Sequence, residues 1–178
     1  MRKMYGGAVL VTAAALALSS PAKAQAPQPG PEHEHFKQLV GTWDATVKTG
    51  FGPGESKGTM VYKLDVGGLW LVGNFKSDFG GMPFEGKGLD TYDPISKKYV
   101  GVWVDSMSTM PMTMTGELDK SAGTMTMVGE GRGPDGKMQK MKSVTKMEDK
   151  DNITFTMYGP GPDGKEAMML TIHYKRRG

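Results

Sequence analysis

The sequence contains no cysteine, and that absence excludes disulfide staples, thiolate nucleophiles and cysteine-based metal sites together. Packing alone must hold the fold. Histidine is scarce as well, with three residues in 178, so few imidazoles are available for proton transfer or ligation. Aromatic residues reach only 8%. Beyond one short run near the N-terminus, no segment is apolar over the ~20 residues that a membrane-spanning helix needs. Also missing are the Gly-x-Ser-x-Gly elbow, the zinc-protease motif and the dinucleotide fingerprint. Gly-x-x-x-x-Gly-Lys occurs three times, starting at Gly81, Gly131 and Gly159. The next residue is then Gly88, Met138 or Glu166, where a phosphate loop requires Ser or Thr. No catalytic residues are assigned, and no metal or cofactor is implied.

The N-terminus carries the three parts of an export signal. Arg2 and Lys3 precede an apolar run at 8–18, Ser19, Ser20 and Pro21 break that run, and Ala22-Lys23-Ala24 offers a small-residue cleavage site. Residues 1–24 are therefore expected to be a signal peptide cleaved near Ala24, which implies a periplasmic or secreted protein. Three of the 22 basic residues, Arg2, Lys3 and Lys23, belong to this segment; the remaining 19 balance 19 acidic residues. Neutral charge gives no reason to expect nucleic acid or an anionic membrane as partner.

Residues 25–31 (QAPQPGP) read as a flexible lead-in to a single domain at 32–178. Phe36, Leu39 and Val40 share one side of a short helical turn within 32–40. After Gly41 the pattern changes to short alternating runs parted by turn residues. The strands are expected at 42–48, 57–64, 69–75, 84–92, 99–106, 112–118, 124–131, 138–148, 153–158 and 167–176. Between them stand Gly80-Gly81, Asp93-Pro94-Ile95-Ser96, Gly133-Pro134-Asp135-Gly136 and Gly161-Pro162-Asp163-Gly164, which supply the φ values that tight hairpins need. Short connections make an all-β antiparallel meander of about 8–10 strands, and such a sheet closes into an up-and-down barrel to remove its edges. Two strands are apolar on both faces: Val100, Val102 and Val104 oppose Tyr99 and Trp103, and Leu69 and Leu71 oppose Trp70 and Val72. A covered outer surface would explain this, a homodimer being one form of it.

Gly41-Thr42-Trp43, placed just after the helical turn, resembles the Gly-x-Trp opening of lipocalins and related small barrels. In those proteins a basic residue near the end of the last strand lies over the Trp, which gives Gly41, Trp43 and Arg176 structural roles by analogy. Lys175 and Arg177 flank the matching place. Several stretches match more widely. They are Glu32-His33, Leu39 to Trp43, Gly81-Met82-Pro83-Phe84-Glu85-Gly86, Tyr92-Asp93 with Lys97 to Val100, Trp103 to Met107, and Met157 to Glu166. Together they resemble the bacterial family catalogued as domain of unknown function 1579. That resemblance implies an often exported, calycin-like barrel and implies no activity.

Methionine is the most distinctive residue type, at 16. Met110, Met112 and Met114 recur at period 2 on one strand, and Met125 and Met127 do so on the next. Five thioethers on one side suit Cu(I), but flexible methionines that line an irregular apolar interior account for them without a metal, and that reading is preferred. Glu32, His33, Glu34 and His35 could clip a metal if extended, or form a solvated cap. His173, the one histidine within a strand, could ligate haem iron as in nitrobindin-like barrels, although the longer glycine-rich motif of that group is missing. Most carboxylates fall in turns, where they cap backbone amides, but Asp90, Asp105, Glu117 and Glu130 lie in strands and could face a lumen. The expected function is non-catalytic binding of a small apolar ligand in that lumen, lined by Trp43, Trp70, Trp103, Met110, Met112, Met114, Met125, Met127 and His173. The alternatives are a periplasmic Cu(I)-binding protein that uses the Met-rich strands and a purely structural dimeric barrel.

Overall fold

The computed structural model describes residues 26–50, 54–133 and 136–178. The expected signal segment and its cleavage site lie outside the described residues, as does the Pro134-Asp135 centre of one predicted turn. Ten strands follow a 3-10 turn (Pro31–His33) and a short helix, α1 (Glu34–Leu39). They are β1 (Gly41–Thr49), β2 (Glu55–Asp65), β3 (Trp70–Phe79), β4 (Met82–Asp93), β5 (Lys98–Asp105), β6 (Ser108–Asp119), β7 (Thr124–Arg132), β8 (Met138–Met147), β9 (Asn152–Pro160) and β10 (Glu166–Arg176). Each pairs antiparallel with its sequence neighbours, and β1 pairs with β10, so the sheet closes. Closure leaves no free edge. No helix among the described residues is long and apolar enough to cross a membrane.

Register fixes which side chains face inward, because directly paired residues share a face. Trp43, Ala45 and Val47 pair with Met60, Gly58 and Ser56 on one side and with Arg176, Tyr174 and Ile172 on the other. Carried round the barrel, the same face collects Leu71, Phe75, Asp90, Tyr99, Trp103, Met112, Met114, Met125, Met127, Ser143, Ile153 and Phe155. The buried core is one cluster: Phe36 and Leu39 of α1 with Trp43, Ala45, Val47, Met60, Leu71, Phe75, Tyr99, Met125, Ile153, Ile172 and Tyr174 of the wall. Val40 leaves the helix and is exposed.

The end beside α1 is closed by specific contacts. A six-residue helix strands most of its terminal carbonyls, and here three different donors take them. The Trp43 indole N–H donates to Leu39 O at 2.8 Å, while Arg176 Nη2 and Nη1 donate to Gln38 O and Val40 O at 2.6 and 2.7 Å. The same guanidinium lies 4.0 Å above the Trp43 ring, a cation–π contact. Gly41 makes room for it: its φ is +133°, and a Cβ there would stand 2.8 Å from Arg176 Nη1. Tyr99 donates its hydroxyl to Glu32 O at 3.0 Å. Turn carboxylates cap the hairpins: Asp93 accepts from the Ile95 and Ser96 amides, and Asp119 from those of Ser121 and Ala122. Those bonds, each with a serine hydroxyl added, hold both carboxyls below the usual range.

Candidate functional site

Among the described residues, aromatic, thioether and hydrogen-bond-free polar groups converge in the interior. Beside α1, Phe36, Leu39, Trp43 and Tyr99 are buried. Farther along, the inward-facing Phe84, Trp103, Met112, Met127, Met141 and Met157 keep part of their surface accessible, although the wall surrounds them. Met82, Met107, Met110 and Met138 stand exposed at the far rim.

Trp103 lies flat against the wall. Its six-membered ring passes within 2.1 to 2.5 Å of where a Gly86 Cβ would stand and within 3.5 to 3.8 Å of the corresponding point at Gly88. Only glycine permits so close an approach. With one face against β4, the ring turns its other face to the interior. Asp105 fixes its orientation by accepting the indole N–H at 2.9 Å.

One step nearer the closed end, Asp90 leans over Gly101. Its Oδ1 is 2.6 Å from where a Gly101 Cβ would be, and the Met127 methyl is 3.3 Å from the same point. Asp90 Oδ2 and the Trp103 ring both lie within 3.8 Å of the Gly88 position, so carboxyl and ring are neighbours. Among the described residues no donor bonds Asp90. The residue faces inward and keeps part of its surface accessible. Burial pushes its pKa up to about 7, because the charged form is poorly solvated there. The Tyr62 phenol is driven well above its ordinary value by burial, with lesser contributions from Tyr174 and Asp90. Burial likewise raises Tyr174. Neither phenol is bonded by any described residue.

The inner face carries almost no compensating charge. Lys48, Lys57, Lys76, Lys98, Lys142 and Lys146 stand on the outer face, where they pair with Glu55, Glu85, Glu117, Glu166 and Glu148. Among the described residues, the inward cation of the strands is Arg176, committed to Trp43 and the helix end.

Several of the expected lining residues lie elsewhere. His173 is a correction: it pairs with Thr46 and Thr154 on the outer face and is exposed, while Ile172 and Tyr174 beside it point inward. Trp70 is a second correction, because its partner is the outward Asp65 and Leu71 takes the inward place. Met110 shares the parity of Met112 but sits at the exposed rim. Met114 and Met125 are buried, Met112 and Met127 face inward and are half-buried, and Trp43 is fully buried at the helix end. Glu117 and Glu130 face outward, and only Asp90 and Asp105 of the four strand carboxylates face in. The five-sulfur face is joined by Met141 and Met169, whose sulfurs lie 2.9 and 3.3 Å from where a Gly159 Cβ would stand. Met169 reaches inward because a bulge between Met168 and Leu170 shifts the register. His33 and His35 do not converge on a metal. The first accepts the Gly30 amide at Nδ1 (3.1 Å), and the second packs against Tyr99 and Phe36, where burial lowers its pKa. Among the described residues no three His, Asp or Glu side chains cluster as a metal site. Tyr62 and Tyr174 were missed at the sequence level; they share period-2 parity with Met60 on β2 and Ile172 on β10, which the strand register turns inward.

Outside, Val72, Leu89 and Val102 form one row across β3, β4 and β5, so the two-faced strands present an apolar strip to solvent.

The model of a family described as "Protein of unknown function (DUF1579)" matches residues 28–176. No curated protein matches the sequence. Among solved structures, the crystal structure of Rv2717c from M. tuberculosis is similar with a TM-score of 0.66 at 13% identity, covering 84% of this chain and 99% of that one. A de novo designed fluorescence-activating β-barrel aligns at a TM-score of 0.44 and 17% identity, covering 79% of this chain and 95% of the design.

Proposed function

This chain belongs to the family described as Protein of unknown function (DUF1579), and from that premise, which brings no activity with it, we propose that the barrel is a non-catalytic carrier of a small, largely apolar ligand held in its lumen. The observation that carries this reading is the accessible surface of inward-facing Trp103, Met112, Met127 and Met141. Eight strands make a barrel that side chains can fill, and diameter grows with strand number, so ten strands leave room. Apolar walls around such room favour an apolar guest. Methionines suit the task because their unbranched, polarisable chains adapt to guests of different shape.

Titration with the neutral fluorescent probe N-phenyl-1-naphthylamine tests the reading. Saturable enhancement with one probe per barrel is expected. Met112→Trp, which adds bulk inside, should weaken it about ten-fold, whereas Val128→Trp on the outer wall should leave it unchanged. Absent saturation, or equal affinity in both variants, would defeat it. We also propose that the protein is exported, and mass spectrometry of the mature protein should find Gln25 as the first residue.

A further inference from the structure

We propose that the lumen selects an amphiphilic organic cation, an alkylammonium whose head sits between the Asp90 carboxylate and the free face of Trp103 while its tail lies among Met112, Met127 and Met141. This rests on the lumen-binding reading above and names the ligand class.

Three independent features of the interior converge on a cation. First, Asp90 is a carboxyl enclosed by the wall, with no bonding donor among the described residues, and such a group gains most from a charged partner. Second, Trp103 presents an aromatic face beside that carboxyl, because Gly86 and Gly88 let the ring lie flat on β4. A ring face attracts positive charge through its quadrupole. Third, the charge balance is one-sided: Asp90 and Asp105 face inward, the strand lysines face outward, and Arg176 is held at the closed end. An anionic guest would meet two carboxyls and no available cation. The Tyr62 and Tyr174 hydroxyls, unbonded by the described residues, give the head's N–H groups further acceptors.

The ionisable groups that face this site from the neighbouring strands are Tyr62 on β2, Tyr92 on β4, Tyr99 and Asp105 on β5, and Tyr174 on β10. Burial raises the Tyr62, Tyr99 and Tyr174 phenols above their ordinary range, so they stay neutral near pH 7 and Asp90 sets the pH response. Asp90 ionises around pH 7, so ammonium affinity should rise from pH 5.5 to 8.5 and then level off. The alkylammonium itself remains charged across that range, since amines of this kind titrate near 10.

The experiment compares decylammonium, decanol and decanoate, below their micelle concentrations, by displacement of N-phenyl-1-naphthylamine and by tryptophan fluorescence. Decylammonium should bind at least about ten-fold tighter than decanol at pH 8. That advantage should shrink as pH falls to 5.5, and decanoate should be weakest. Asp90→Asn, which keeps shape and removes charge, should cut the ammonium advantage below about two-fold and leave decanol unchanged. Wild-type protein alone decides the matter if the variant folds poorly, because the pH profile needs no substitution. Equal binding of all three ligands, a preference for decanoate, or a preference that survives Asp90→Asn would overturn the proposal and leave the apolar-lumen reading standing. If no ligand and no probe binds, both fall.

Discussion

At the scale of single residues, Arg176 carries the most connections. Its guanidinium covers the Trp43 ring and closes the last carbonyls of α1, and its Nε donates to Lys150 O at 3.0 Å. Arg176→Ala therefore removes a cation–π contact and strands carbonyls at a partly buried helix end. A loss of about 2–4 kcal/mol is expected, read as a lower urea midpoint at unchanged m-value. Arg176→Lys should recover only part of it, since one ammonium cannot serve three carbonyls and a ring together. Gly41 and Trp43 were legible in the sequence as part of a recognisable opening, and basic residues near the chain's end as their partners. Asp90 was visible only as one strand carboxylate of four. Nothing in a linear pattern says which carboxyl will meet a partner, because Glu117 finds Lys98 through the pairing of two strands and Asp90 finds glycine for the same reason. His173 and Trp70 illustrate the other failure: functional character suggested the lumen, and their parity, opposite to that of inward Tyr174 and Leu71, decided otherwise.

At the scale of elements, the ten strands were all readable from alternation and turn chemistry, and the boundaries were less so. β6 begins at Ser108, four residues before the sequence suggests, with Pro111 inside it. A proline lacks the N–H that a ladder needs. It is tolerated here because the β5–β6 register slips between Trp103 and Asp105, a bulge that relieves that position of pairing. Farther along, β6 and β7 bend tightly around one another. A Cβ on Gly116 would fall 2.0 Å from Thr126 O, and one on Gly129 would fall 2.0 Å from Thr113 O. Gly116→Ala must therefore push two backbones apart, and a destabilisation of about 1–3 kcal/mol is expected. Thermal unfolding checks this, with Thr115→Ala on the outward neighbour as a comparison that should cost far less.

At the scale of the whole molecule, the barrel separates its charges: lysine–glutamate ion pairs outside, and inside the Asp90 carboxyl, bonded by no donor among the described residues. That separation has a consequence for stability against pH. Asp90 has a pKa of about 7 in the fold and an ordinary value near 3.9 when unfolded. Its contribution to stability is complete below the unfolded value and is lost as pH climbs through the folded one, because only the unfolded chain ionises it freely in between. The lysine-paired Glu85 and Glu117 are shifted the opposite way, so their contribution disappears only in acid, below the neutral window. His35 does act near neutrality: burial lowers its pKa, which favours the fold as pH rises toward the unfolded value of about 6.5 and partly masks Asp90 in the wild-type curve. The difference between Asp90→Asn and wild type removes that mask. The variant should be little different at pH 4 and progressively more stable through pH 7, by up to about 4 kcal/mol at pH 8, or several degrees in melting temperature. An advantage that stays constant with pH would mean that Asp90 is not the group titrating there. A gain of the expected form would mean that the wild-type barrel retains a charge which weakens it, a cost that a structural wall has no reason to carry and a cation-binding interior does.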